Sequence, residues 1–73
     1  MDVDPKKLRQ IREAAFLTQV ELSLKADLTE MTVSRLERGI GKARIRTVRR
    51  LADALGTAPA SLLATSEEKG QRS

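Results

Sequence analysis

Two short helical patterns follow one another in the middle of this chain, with a tight turn between them. The first begins at Thr18, which has a glutamate three residues later, the arrangement of a capping box. The second begins at Thr29, after which apolar residues recur on one helical face. Asp27 lies between them, and Asp is one of the few non-glycine residues that readily adopt the left-handed conformation of a sharp turn. The patterns therefore predict helices over 18–26 and 29–38.

Helical patterns also flank this pair. An earlier helix starts at Asp4 with a capping acid before proline and is expected to end near Phe16. Gly39 is expected to cap the second of the paired helices, Gly56 ends a later helix, and Pro59 opens a short last one. The later helix carries an apolar stripe of Ile45, Val48, Ala52 and Leu55. The residues predicted to share one core are Leu8, Ile11, Leu22, Ala26, Leu28, Val33, Leu36, Val48, Leu51, Leu55 and Leu62.

These patterns predict an all-α chain, a compact bundle of about five short helices with no strand signal. The length of 73 residues suffices for one domain. We expect that domain to span residues 1–64, whereas 65–73 are polar and uncapped and are expected to form a disordered tail.

The composition excludes several classes of function. The sequence has no Cys and no His, which removes disulfides, zinc fingers, thiol nucleophiles and the commonest general base. We therefore expect no enzyme activity, no metal and no cofactor. The single aromatic residue, Phe16, argues against the stacking platforms that bind single-stranded nucleic acid. No apolar run reaches the length of a membrane span and no signal peptide is recognisable, so a cytoplasmic protein without a membrane partner is expected.

The charge is moderately basic, with a formal net charge of +4, and nine of the fourteen cationic residues are Arg. That value is ordinary for a soluble domain. The placement says more, because five cations cluster within nine positions beside the second of the paired helices, at Lys42, Arg44, Arg46, Arg49 and Arg50. A solvated helix face, with Asp53 partly neutralising Arg49, and a DNA-backbone contact both fit this cluster.

Two short helices joined by a three- or four-residue turn form a helix-turn-helix unit. Its second helix must be apolar where the core holds it and polar where it enters the major groove of DNA. The stretch 29–38 meets that requirement.

The sequence resembles the phage-repressor and Cro type of DNA-binding domain, also called the xenobiotic-response-element family. The matching motifs are LTQVELSLKADLTEMTVSRLERG and RRLADALGTAPASLL, within a resemblance that covers residues 8–63. This implies a lambda-repressor-like fold. The chain departs from the family pattern at four positions, with Asp27 for Gly, Ser23 for Ala, Ala43 for Pro and Arg44 for Ser. The last two bear on the geometry of the loop over 40–44.

The resemblance also implies roles for individual residues. Gln19 would contact a DNA phosphate. Lys42 and Arg44 are expected to contact the DNA backbone because their cluster lies beside the second of the paired helices. Arg12 and Glu37 would form a structural ion pair. The residues of the reading helix expected at the DNA are Thr29, Glu30, Met31, Thr32 and Arg35.

Several of these roles have an alternative. Arg35 could fork to a guanine or reach a phosphate. Glu30 could accept from a cytosine amine, or only stabilise the helix dipole. Met31 fits thymine methyl groups or a protein interface. Gln19 could be a plain polar residue, and Thr32 could touch a thymine methyl or a phosphate.

The function expected from these features is sequence-specific regulation of transcription by a repressor that binds a near-palindromic operator on double-stranded DNA as a homodimer. The alternative is an antitoxin or bridging factor whose main partner is another protein, such as a toxin. That alternative is favoured if one exposed patch is formed by Phe16, Leu24, Met31 and Ile40.

Overall fold

The computed structural model describes residues 1–64, which form four α-helices and one 3₁₀ turn. These elements are α1 (Pro5–Ala14), α2 (Gln19–Lys25), α3 (Glu30–Glu37), α4 (Ile45–Leu55) and the 3₁₀ turn Pro59–Leu62. The predicted all-α architecture is confirmed. Within 1–64 there is one isolated antiparallel bridge, between Val3 and Leu63, and Met1 and Ala43 also exchange backbone hydrogen bonds. The predicted tail at 65–73 lies outside the described residues.

Side-chain caps start the first three helices, as the sequence indicates. Asp4 accepts from two backbone N–H groups of the first turn of α1. Thr18 Oγ1 accepts from the Glu21 N–H at 3.0 Å while Glu21 Oε1 accepts from the Thr18 N–H at 2.8 Å, which completes the capping box. Thr29 Oγ1 accepts from the Thr32 N–H at 3.2 Å. These caps set the chain positions at which α1, α2 and α3 begin.

Each α-helix ends one or two residues before a residue in the left-handed conformation. The φ angles are 60° at Phe16, 58° at Asp27, 76° at Gly39 and 68° at Gly56. In all four cases the next residue donates its N–H to the carbonyl five positions earlier, at 2.8–3.2 Å, which is the Schellman motif. The sharp turn predicted at Asp27 is confirmed. Helix α1 ends at Ala14, earlier than expected, because Phe16 takes this turn conformation itself.

The helices enclose one core, and most of the predicted core residues are buried in it. Three of them, Ile11, Leu28 and Leu55, are only partly buried and pack at its edge. The predicted apolar stripe of α4 is wrong at Ile45, which is 52% exposed. At this end of α4 the buried position is taken by Ala43 instead. The buried apolar residues are Leu8, Leu22, Ala26, Val33, Leu36, Ala43, Val48, Leu51, Ala52 and Leu62.

The segment before α1 lies between two other parts of the chain. The Asp4 N–H donates to the Leu62 carbonyl and the Ala64 N–H donates to the Asp2 carbonyl, both at 2.9 Å. On its other side the Ala43 N–H donates to the Met1 carbonyl at 3.1 Å. The first four residues therefore join the loop before α4 to the end of the 3₁₀ turn. None of the helices within 1–64 is both long and apolar enough to span a membrane.

Candidate nucleic-acid interface

Helix α3 has one side in the core and one side in solvent. Val33 and Leu36 are buried on the inner side. On the outer side Glu30 and Arg35 are exposed, and Met31 is 62% exposed although it is apolar. A short amphipathic helix held in this way can be presented to a partner without disturbing the core.

The threonine hydroxyls at the start of α3 contact each other. Thr29 Oγ1 and Thr32 Oγ1 are 2.9 Å apart, and the former also caps the helix. Both hydroxyls therefore already have a local hydrogen-bonding partner. Among the predicted reading residues, Thr32 is partly buried, and Thr29, Glu30, Met31 and Arg35 are exposed.

A groove of about 280 Å³ runs between α3 and the loop that leads into α4. It brings together four of the residues predicted at the DNA, which are Thr32, Arg35, Lys42 and Arg44. Leu36 and Ala43, both buried in the core, also line it, as do Ile40, Gly41 and Thr47. Three cationic side chains thus converge beside the outer side of α3, which gives this surface the charge that phosphate groups require.

The loop over 40–44 takes its shape without the residues usual in the family. Gly41 has a φ of 75°. Ala43, which stands where the family usually has Pro, exchanges backbone hydrogen bonds with Met1. Arg44 stands at the start of α4 without a side-chain cap. The guanidinium has no acceptor atom with which to cap a helix, and Arg44 is one of the residues that line the groove.

The side-chain amide of Gln19 is already hydrogen-bonded within the protein. Its Nε2 donates to Glu37 Oε1 at 3.1 Å, and the residue is half-buried between α2 and α3. It does not line the groove that holds the four residues above. The amide ties the two helices together, and its predicted phosphate contact stays a prediction.

Arg12 and Glu37 meet between α1 and the end of α3. Arg12 Nε and Nη2 donate to Glu37 Oε2 and Oε1 at 2.5 and 3.0 Å, and Nη1 donates to the Leu17 carbonyl at 2.7 Å. The hydrogen bond that Arg12 donates to Glu37 raises the pKa of Arg12, against the effect of burial, which lowers it. The structure thus places the pair where the resemblance implies it, shielded and holding α3 against α1.

Two features of the interface were not expected from the sequence. Lys42 Nζ lies 3.7 Å from Asp2 Oδ1, so an acidic side chain sits beside a predicted phosphate contact. No local pattern in the sequence indicates this contact, because 40 positions separate Asp2 from Lys42. Further along α4, Arg50 Nη1 donates to the Asp27 carbonyl at 3.4 Å, which connects the basic cluster to the turn before α3.

The four apolar residues considered as a possible protein-binding patch are all exposed, and they lie on four different parts of the chain. Phe16 is 92% exposed in the turn after α1, and Leu24 is 75% exposed on α2. Met31 is on α3, and Ile40, 51% exposed, lines the groove. The structure therefore leaves large apolar side chains accessible outside the basic groove as well as beside it.

The chain is similar in sequence and in structure to known proteins. The chain is 41% identical over 51 residues to a Mycobacterium tuberculosis protein named "Putative antitoxin HigA2"; the match covers 68% of this chain and only half the length of that protein. The restriction-modification controller protein C.AhdI from Aeromonas hydrophila is similar in structure, with a TM-score of 0.78 and 30% identity, covering 81% of this chain and 89% of that one.

The DNA-binding domain of the P22 C2 repressor has the same fold, with a TM-score of 0.73 and 19% identity over 82% of each chain. The model of the helix-turn-helix family matches residues 8–62, which include α2, the turn at Asp27 and α3. The chain therefore belongs to the helix-turn-helix family, with the fold of a phage-repressor DNA-binding domain.

Proposed function

We propose that this protein is a sequence-specific DNA-binding regulator of transcription, and that it acts as a repressor. The observation that carries the proposal is the groove beside α3, where Arg35, Lys42 and Arg44 converge next to the exposed side of the helix. Binding alone would suffice for repression, so the proposal includes no enzymatic step and no cofactor. We also propose that the protein acts in the cytoplasm.

In this proposal the exposed side of α3 enters the major groove. Arg35 donates to a guanine, Glu30 accepts from a cytosine amine, and Met31 contacts thymine methyl groups. Lys42 and Arg44 contact phosphates on the flank, where they hold the helix in register. Three reading side chains on one short helix cover few base pairs, which is too little for useful specificity.

A homodimer on a near-palindromic operator supplies the missing specificity, because two reading helices about 34 Å apart match one turn of the duplex. We place the contact between subunits around residues 57–63. This region follows the last residue of α4, whereas Ala43 and Arg44 of the groove precede its first residue.

Electrophoretic shift of genomic fragments from around the protein's own gene tests the proposal. We expect one fragment to be retained in the presence of excess unrelated duplex, and sedimentation to give two protein chains per site. One chain per site at saturation would contradict the dimer. Equal retention of every fragment would contradict specific recognition.

A second candidate function is that of an antitoxin or bridging factor with a protein as its main partner. The 41% identity to the Mycobacterium tuberculosis protein favours it. Copurification of a stable complex with a protein encoded beside this one, and loss of DNA binding in that complex, would favour it over the repressor.

A further inference from the structure

The N-terminal segment pairs with the loop that lines the groove. The Met1 nitrogen donates to the Ala43 carbonyl at 2.6 Å, and the Ala43 N–H donates back to the Met1 carbonyl at 3.1 Å. Two residues that exchange both hydrogen bonds have the geometry of an antiparallel pair. The residue after Met1 must then lie opposite the residue before Ala43, and these two residues are Asp2 and Lys42.

The backbone therefore holds an acid next to a cation of the interface. Lys42 Nζ is 3.7 Å from Asp2 Oδ1, with the two side chains 76% and 37% exposed. Surface ion pairs of long side chains often form by chance. This one is different because the pairing on one side and the bridge between Val3 and Leu63 on the other fix the position of the acid. Val3 also packs against the core.

We propose that Asp2 is an internal competitor for the phosphate-binding cation Lys42, and that it limits the salt-dependent part of DNA affinity. The inference rests on the proposed DNA-binding function. A phosphate that approaches Lys42 has to replace the carboxylate, and the carboxylate left beside it repels the phosphates. Both effects oppose binding at low salt and fade as salt screens the charges.

The competition has a consequence for counterions. A cation that contacts a phosphate releases the ion condensed there, and this release makes affinity depend on salt. While Asp2 neutralises Lys42, this lysine contributes less than one full contact. Removal of the acid should therefore make the dependence of affinity on salt steeper, by up to about one in the logarithmic slope per bound subunit.

The test uses Asp2→Asn, Lys42→Ala and the double variant. The matched control is Glu13→Gln, which also removes one exposed carboxylate from an exposed ion pair, here with Arg9 at 3.2 Å on α1. The probe is a mixed-sequence duplex of about two helical turns, so that the unidentified operator is not needed. Affinity is measured by fluorescence anisotropy at several salt concentrations, and thermal unfolding checks that all variants stay folded.

We expect Asp2→Asn to bind about 2- to 5-fold more tightly per subunit at low salt, with a steeper salt dependence. Glu13→Gln should gain less, and the gain from Asp2→Asn should disappear in the Lys42→Ala background. Equal gains from Asp2→Asn and Glu13→Gln would overturn the inference, since net charge would explain both. A gain that persists without Lys42 would also overturn it. If the wild type does not bind this mixed-sequence duplex even at low salt, Lys42 makes no sequence-independent phosphate contact and the inference fails, whereas the proposed specific function is tested separately by the shift of genomic fragments.

Discussion

The guanidinium of Arg12 and the carboxylate of Glu37 face each other through two hydrogen bonds and connect α1 to the end of α3. Their side chains are only 11% and 4% exposed. Folding raises the pKa of Arg12, mainly through the hydrogen bond that it donates to Glu37. A raised pKa means that the stabilising contribution of Arg12 is complete below its ordinary pKa and declines only as the pH rises through the raised value. The contribution of Arg12 is therefore constant across neutral pH.

Removal of one partner of this pair should destabilise the protein more than removal of both. Arg12→Met leaves the Glu37 carboxylate shielded and short of a charge partner, at a cost of about 3–5 kcal/mol, whereas the double variant with Glu37→Met leaves no lone charge. Urea unfolding of the wild type, both single variants and the double variant measures the coupling. Strictly additive changes in the free energy of unfolding would contradict the prediction.

Leu36→Ala should cost about 2–5 kcal/mol, because it opens a cavity in the core behind α3. Leu36 is 5% exposed and also lines the groove. Leu24→Ala is the matched control, since Leu24 is 75% exposed and its truncation should change stability little. Chemical denaturation compares the two. Similar losses from both variants would show that Leu36 is not a core residue in solution.

Phe16→Gly should stabilise the protein by about 1 kcal/mol, because a left-handed conformation strains residues other than glycine. Phe16 has a φ of 60° and, at 92% exposure, makes little packing that the variant would lose. Thermal unfolding should show a midpoint about 4–8 °C higher. Asp27→Gly, at a φ of 58°, should gain less, since Asp tolerates this conformation better. An unchanged or lower midpoint for Phe16→Gly would contradict the prediction.

Arg35→Ala and Lys42→Ala should weaken DNA binding in different ways. If Arg35 forks to a guanine, its removal should cost about 1–3 kcal/mol and relax the preference at one base pair of each half-site. Lys42→Ala should weaken binding to all sequences alike and reduce the salt slope by about one or less per subunit. Titration of the operator and its single-base variants at several salt concentrations separates the two effects. A uniform loss for Arg35→Ala would make Arg35 a phosphate contact.

The sequence alone determined the positions of the helices, because their signals are local. A cap such as Thr18 or Thr29 acts on the next turn of its own helix, and the left-handed residue at Asp27 acts on the turn beside it. The apolar period of α3 likewise predicted that Val33 and Leu36 face the core. From these local features the all-α fold and the pair of helices at its centre could be predicted.

Tertiary structure decided the surroundings of each functional side chain. Gln19 donates a hydrogen bond to Glu37, which is 18 positions away along the chain. Asp2 lies beside Lys42, which is 40 positions away. Such contacts depend on how helices and end segments pack, and no local period encodes them. Ile45 shows the same limit, because its period places it on the apolar stripe of α4 while the packing at that end uses Ala43 and leaves Ile45 in solvent. Propensity acts within a few residues, whereas burial and ion pairing depend on the whole fold.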